Sequence, residues 1–322
     1  MELVRGLHNL RPRHRGCVAT IGNFDGVHLG HQAVLGQLAE KAGELGLPTT
    51  VVTFEPHPQE WFFPERAPPR LTRLREKLQA LRRYSVDRVL VLRFGAVLAA
   101  LEAAAFVERI LVQGLGVRHL VIGDDFRFGR NRTGDFAFLR AMGARHGFGV
   151  VAMHSFRVDG ERVSSTRIRA ALAAGDMDAA EKLLGRPYRM CGRVAHGDRR
   201  GRTMGFPTAN LHLHRRASPV RGVFAVEVFG VPGEPVPGVA NVGVRPTVDG
   251  TRALLEVHLL DFAGDLYGRH LQVDFLHRLR DERRFPSFDA LRAQIRRDVD
   301  AARAWFAARD RIGAGPGLES AP

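Results

Sequence analysis

His28 and His31 stand three residues apart in HLGH, at the end of the stretch IGNFDGVHLGH spanning 21–31. If a helix starts there, side chains at i and i+3 share one face. Two imidazoles so placed can grip a metal, donate to phosphate oxygens, or simply face solvent. Free backbone N–H groups and the positive end of the helix dipole favour an anion. Gly30 has no side chain, so a flat base or ribose could approach its backbone closely. A zinc site would need a third or fourth ligand, for which His57 in EPHP is the available candidate. A second segment, SSTRIR at 164–169, sets Ser164, Ser165 and Thr166 beside Arg169 just before another helical pattern. It is either an ordinary capping segment or another anion nest.

Two further stretches carry different chemistry. GRVAHGDRRGRTMGFPTANL (192–211) holds Gly192, Gly197, Gly201 and Gly205 around an arginine-rich run, either a hairpin of a basic barrel or a flexible loop over phosphates. At its end Pro207 stiffens the chain, and Thr208 and Asn210 project from alternate positions on one face. A hydroxyl and an amide together suit a hydrated Mg²⁺ carried by nucleotide phosphates. In ALLEVHLLDF, Leu255, Val257 and Leu259 share one strand face and Glu256 and His258 the other. Glu256 is either a solvated strand carboxylate or the base that a hydroxyl-phosphorylating enzyme needs. No GxxxxGK[ST] occurs, which excludes a Walker-type site, and no GxGxxG follows the first strand candidate.

The elements that must position these residues fall into two halves. From 17 to about 185, strand patterns (CVATIG, TTVVTFE, RVLVLRF, RHLVIG, FGVVAM) alternate with helical patterns near 31–45, 72–84, 97–114 and 134–146. That alternation predicts a mainly parallel sheet with helices on both faces, and ligands bind such sheets at the carboxyl ends of the strands. After EKLLGRPY, Gly- and Pro-punctuated alternating runs predict a small antiparallel barrel. A last amphipathic helix should follow Ser287, with Leu291, Ile295, Val299, Ala302 and Phe306 as its apolar stripe. The boundary is expected near 186, giving domains of 1–185 and 186–308 and a disordered tail over 309–322.

With 322 residues, 45% hydrophobic and 25% charged, the chain reads as a globular protein large enough for two cores. It has no apolar run of membrane-spanning length, and the charged stretch MELVRGLHNLRPRHRG lacks an apolar h-region, so a secretory signal is not expected. Cys17 and Cys191 are its only cysteines, which suits a reducing, cytoplasmic setting. The formal net charge of +14 invites a polyanionic partner. Yet lysine occurs only at 41, 77 and 182, and the many arginines are scattered without interleaved aromatics. Anionic small substrates satisfy the charge as well as nucleic acid does, and nucleic acid is not expected as a partner. Oligomeric state is not written in the sequence.

GNFDGVHLGH, TFEPHP, GDDFRFG and SSTRIR, in this order, resemble the adenylyltransferase module of bacterial bifunctional riboflavin kinase/FAD synthetases. GFPTANL, GVANVGVRPT, LEVHLLDF, DLYGRHLQV and LRDERRFPSFDALRAQI resemble the riboflavin kinase module of the same family. The resemblance implies a Rossmann-like nucleotidylyltransferase domain followed by a barrel, with ATP, riboflavin and FMN as substrates and Mg²⁺ as cofactor. It implies that His28 and His31 hold the ATP phosphates, and that Gly22, Asn23, Phe24, Asp25 and Gly30 shape the pocket, with His57 among the binding residues. Ser164, Ser165, Thr166 and Arg169 would take the pyrophosphate side; Asp125, Phe126, Arg127 and Phe128 would lie near the flavin. In the second half it implies Glu256 as base and Thr208 and Asn210 as organisers of MgATP. Gly197, Gly205 and Pro207 would belong to the phosphate loop, and Arg284 to a segment closing over flavin and nucleotide. A tRNA-synthetase-like relative sharing HxGH would bring a lysine-bearing loop, and no lysine lies near SSTRIR in the chain.

Overall fold

The computed structural model describes residues 1–195, 205–233, 235–247 and 250–313. The chain divides into two compact units, Met1–Ser165 and Thr166–Pro322.

The first unit is built on six strands: β1 (Glu2–Arg5), β2 (Cys17–Ile21), β3 (Thr49–Glu55), β4 (Arg88–Arg93), β5 (Val117–Gly123) and β6 (Gly149–Met153). They pair in parallel throughout, in the order β1-β4-β3-β2-β5-β6. All five residues of β2 are buried, as a central parallel strand covered on both faces requires. β2 has β3 on one side and β5 on the other, so the direction of strand addition reverses there. A crevice at the carboxyl ends is the usual result. Helix α1 (Leu29–Leu45) packs Leu35, Leu38 and Ala42 into the core shared with Val18 and Val51. Burying such a side chain contributes about 1.5–3 kcal/mol. α1 stops at Gly46, whose left-handed φ of 63° closes the last turn. α2 (Pro58–Phe62) and α3 (Leu74–Leu81) follow.

Two parts of this unit differ from the sequence expectation. β1 pairs with β4 (Glu2↔Arg88 through Arg5↔Val91), although its only buried residue, Val4, gives no readable pattern. The helix expected at 97–114 is broken into α4 (Ala96–Ala99), α5 (Ala103–Phe106) and a π-helical stretch, Val107–Gly114. The break falls where the Leu101 carbonyl accepts Arg130 N–H from a distant loop and Glu102 opens α5. α6 (Phe136–His146) and a two-strand ribbon, β7 (Arg157–Val158) with β8 (Glu161–Arg162), complete the unit.

In the second unit α7 (Ser165–Ala174) and α8 (Met177–Leu184) precede a closed barrel. Its strands are β9 (Tyr188–Ala195), β10 (Ala209–His212), β11 (Gly222–Phe229), β12 (Val236–Thr247), β13 (Gly250–Leu259) and β14 (His270–Arg280). They close in the order β10-β13-β12-β11-β14-β9, antiparallel throughout. Gly192, at the start of the stretch that reads either as a barrel hairpin or as a flexible loop, lies inside β9 opposite Leu271. α9 (Phe288–Gly313) starts where Ser287 Oγ accepts the Ala290 N–H at 3.1 Å. It lays Ile295, Val299, Ala302 and Phe306 over Val223, Ala225 and Val239 of the barrel wall. The helix runs through 309–313, where a disordered tail was expected, because an Ala- and Arg-rich stretch carries the helical pattern on. Residues 314–322 lie outside the described residues.

Candidate active sites

The loop between β2 and α1 is strained and buried. Phe24 (φ 48°), Gly26 (φ 88°) and Val27 (φ 46°) are all left-handed within four positions. A β-branched residue there is a genuine outlier, and each such non-glycine residue costs about 1–3 kcal/mol. Packing holds it: Phe24 and Val27 are 2% and 0% exposed. Asp25 is buried too, and its carboxylate accepts the Leu71 N–H (3.1 Å), the Thr72 N–H (2.8 Å) and the Thr72 hydroxyl (3.2 Å). Thr72 Oγ1 in turn accepts the Gly26 N–H at 2.9 Å. Asp25 therefore braces the loop against the segment that leads into α3.

His28 caps α1, its Nδ1 accepting the His31 N–H at 3.3 Å. That bond leaves Nε2 to carry the proton of the neutral ring, making it the donor. The two rings stack with centroids 3.7 Å apart and planes 17° from parallel, and Phe24 leans on His31 at 5.0 Å. Burial first, then the electrostatic influence of the neighbouring His28 ring and the charges of Lys77 and Arg162, hold His31 well below the usual imidazole range. Its Nδ1 is buried without a partner. A Cβ on Gly30 would stand 3.3 Å from the His28 ring, and one on Gly22 3.1 Å from Phe24, so both glycines are close-approach positions. Ser165 Oγ donates to the Asp25 carbonyl at 3.0 Å, which joins the serine segment to this loop. Ser164 is half-buried beside it; Thr166 and Arg169 follow in the first turns of α7, in the second unit.

The neighbouring loops contribute in different ways. His57 Nδ1 accepts the Gln59 N–H at 3.2 Å, and burial pushes its basicity down to about 4. Asp125 pairs with Arg162 at 2.5 Å. Phe126 is half-buried and stacks on Phe128 at 5.5 Å; Phe128 itself is core, packed against Phe106 and Phe138. Phe128 thus stands one layer behind Phe126, and exposed Arg127 bonds back to the Phe126 carbonyl.

The barrel organises its polar residues by register. Asn210 on β10 and Asn241 on β12 both lie directly opposite Glu256 on β13. Directly paired residues project from the same face, so the three form one row. Leu255 and Val257 point inward and are fully buried, which sets Glu256 and His258 on the outer wall. His258 Nδ1 donates to the Pro207 carbonyl at 2.9 Å and meets the Phe206 ring edge-on at 5.5 Å. This fixes the extended FPT segment, in which Thr208 is exposed and Gly205 takes a φ of 82°. Gly197 lies outside the described residues. At the end of β14, Arg280 forms a bidentate pair with buried Asp298 of α9 (2.9 and 2.8 Å), and Gln294 bonds both Asp298 and Arg283. Arg284 in the same segment is exposed.

A family model described as FAD synthetase matches residues 10–167, and one described as riboflavin kinase matches 184–306. A bifunctional riboflavin kinase/FMN adenylyltransferase of Pseudomonas fluorescens is 59% identical over 305 residues, 94% of this chain and 97% of that one. Its counterpart in Escherichia coli (strain K12) is 53% identical over 307 residues, 95% and 98% of the two chains. The chain belongs to the bifunctional riboflavin kinase/FMN adenylyltransferase family. A solved structure described as a macrolide-efflux protein from Streptococcus pneumoniae shares the whole architecture, with a TM-score of 0.81 and 31% identity over 95% of this chain and 100% of that one. Among the described residues no helix is long and apolar enough to cross a membrane.

Three further residues stand beside these segments without a motif to mark them. Asn241 escaped notice because alternation assigns a face and not a register. Lys77 lies far from HLGH and SSTRIR in the chain, and the fold nevertheless sets its charge against His31. Its rarity in an arginine-rich sequence was the available signal. Arg70, clasped by Glu55 (2.8 and 2.9 Å) and Glu60, had no signal beyond proximity to the EPHP loop.

Proposed function

We propose that the first half, 1–185, transfers the adenylyl group of ATP to FMN, and that the second, 186–308, phosphorylates riboflavin. The observation that carries the first assignment is the stacked His28–His31 pair at the point where strand order reverses. In that step a phosphate oxygen of FMN attacks the α-phosphorus of ATP, and the bond to pyrophosphate breaks. His28 donates from Nε2 to the phosphate oxygens, and His31 adds a donor from a ring that burial keeps neutral. Fixed donors aimed at developing negative charge need no covalent intermediate. Gly22, Asn23, Phe24, Asp25 and Gly30 form the nucleotide pocket; Ser164, Ser165, Thr166 and Arg169 receive the pyrophosphate. His57 borders the pocket, and Asp125 and Phe126 face the flavin with Phe128 supporting from behind.

In the barrel Glu256 accepts the proton of the ribityl 5′-hydroxyl as its oxygen attacks the γ-phosphorus, with ADP leaving. Asn210 and Asn241 flank the carboxylate and keep it oriented. Mg²⁺ fits the donor set: a hydroxyl and an amide oxygen from Thr208 and Asn210, hard ligands for a cation that keeps its waters and phosphates. When bound, Mg²⁺ neutralises phosphate charge. Arg284 acts in the segment that covers the substrates, with Gly205 and Pro207 shaping the loop that precedes Thr208. Both cysteines are buried and neither is in a disulfide, which suits a cytoplasmic site of action; small anionic substrates account for the basic charge without nucleic acid.

The test is chromatography of products from the purified chain with ATP and MgCl₂. Riboflavin should give FMN and then FAD. FMN that accumulates and is never adenylylated overturns the sheet-site assignment, and FAD from FMN without any FMN from riboflavin overturns the barrel assignment.

A further inference from the structure

Of the three lysines, Lys182 is exposed, Lys41 pairs with Glu44 on a helix surface, and Lys77 is 2% exposed. A buried ammonium persists only where its surroundings have a use for the charge or its hydrogen bonds. Lys77 Nζ donates to Thr53 Oγ1 at 3.3 Å, and Thr53 Oγ1 donates onward to the Asn23 carbonyl at 3.3 Å. Asn23 is the residue before left-handed Phe24, so the relay ends on the strained loop that aims His28 and His31. The carboxylates around it are engaged elsewhere: Asp25 by Leu71 and Thr72, Glu55 and Glu60 by Arg70. Arginine replaces lysine almost everywhere in this sequence, but a planar five-donor fork suits a bidentate acceptor and not a single hydroxyl.

We propose that Lys77 is a positioning residue for adenylyl transfer: through Thr53 it fixes the Asn23 carbonyl and the loop behind the two histidines, and it gives the phosphate-binding turn a buried positive charge. This rests on the adenylyltransferase reading of the site. The groups that face Lys77 are Asp25 from the β2–α1 loop, Glu55 at the end of β3, Glu60 of α2 and Arg70 before α3. Burial outweighs the carboxylates and, with Arg70, brings the ammonium down to about 8. Its charge in turn acts on His31 of α1 and on His57 at the start of α2. FAD synthesis by the unmodified chain should therefore weaken as pH rises through 8, while the ammonium loses its proton.

The experiment uses the full chain and the variants Lys77→Met, Lys77→Arg and Thr53→Val. FMN adenylylation is followed from pH 6.5 to 9.5, and riboflavin phosphorylation is measured on the same preparations. Removing a donor that touches the transition state costs about 10²–10³-fold; acting through a relay, Lys77→Met should lower kcat about tenfold or more, with the kinase within about twofold. Thr53→Val, which breaks the relay and leaves the charge, should cost about threefold. Lys77→Arg should restore part of the rate and extend it above pH 8. Unchanged kcat, KM and pH profile in Lys77→Met would overturn the proposal and leave the adenylyltransferase reading standing. If the unmodified chain makes no FAD from FMN, that reading fails and the proposal with it. If Lys77→Met loses both activities through misfolding, Thr53→Val decides: a wild-type rate there also overturns the relay.

Discussion

In the sheet unit the polar residues of the site are buried: Asp25, His28 and Lys77 are 3%, 6% and 2% exposed. In the barrel the corresponding residues lie on the outer wall, with Thr208 exposed and Asn210 and Glu256 half-buried. The first site is made by forcing a loop into left-handed backbone and trapping it with packing and a braced carboxylate. The second is made by strand pairing, which sets Asn210, Glu256 and Asn241 in a row without strain. Burial shifts the titration of His31, His57 and Lys77, so in the first site protonation is part of the architecture.

The largest expected effect tests the independence of the two. Glu256→Gln keeps shape and removes the base, so riboflavin phosphorylation should fall about 10²–10⁴-fold while FMN adenylylation is retained. His28→Ala or His31→Ala should do the reverse, lowering FAD formation about 10²–10³-fold. The His28 change also removes the α1 cap and should cost about 1 kcal/mol of stability. Steady-state assays of both reactions on each variant are the check. Full kinase activity in Glu256→Gln would show that the base is misassigned.

These residues were readable because their surroundings leave a pattern. A strand buried on both faces, such as TTVVTFE, is a β-branched-rich run without polar alternation, and the loops after such strands name themselves. Alternation along ALLEVHLLDF likewise exposed Glu256 and His258 together. What stayed hidden depends on register and long-range packing. Nothing local says that Asn241 is paired with Glu256, that Lys77 reaches Thr53, or that Leu101 accepts a bond that breaks a helix. The β1 edge strand has too little burial to show a period at all.

The brace behind the barrel provides a stability counterpart. The Arg280–Asp298 pair is largely buried, with side-chain exposures of 19% and 6%. Removing one partner leaves the other charge unmatched in a poorly solvated place, at a cost of about 3 kcal/mol or more. Asp298→Ala should therefore lower the thermal midpoint of the barrel transition and leave the sheet transition in place. Differential scanning calorimetry resolves the two if the units melt separately. An unmoved barrel transition would mean that α9 is held by its apolar stripe alone.

The smallest effect is a pH dependence confined to the sheet unit. His57 in an unfolded chain titrates near 6.5, whereas burial brings the folded group to about 4, with Asp25 and Glu60 opposing and Lys77 and Arg70 assisting. Between these values the unfolded chain binds a proton that the folded chain does not, so stability rises with pH across that window. The contribution is complete above about pH 6.5 and is lost as pH falls toward 4. His31 adds a slope of the same sign, so the unmodified chain alone cannot assign it. His57→Gln keeps an acceptor for the Gln59 N–H but does not titrate. From pH 7 to pH 5 its sheet transition should therefore shift downward less than that of the unmodified chain, with the barrel transition as internal reference. Parallel shifts in the two proteins would place the slope on His31 and on the carboxylates, and would make His57 a cap whose protonation the fold does not oppose.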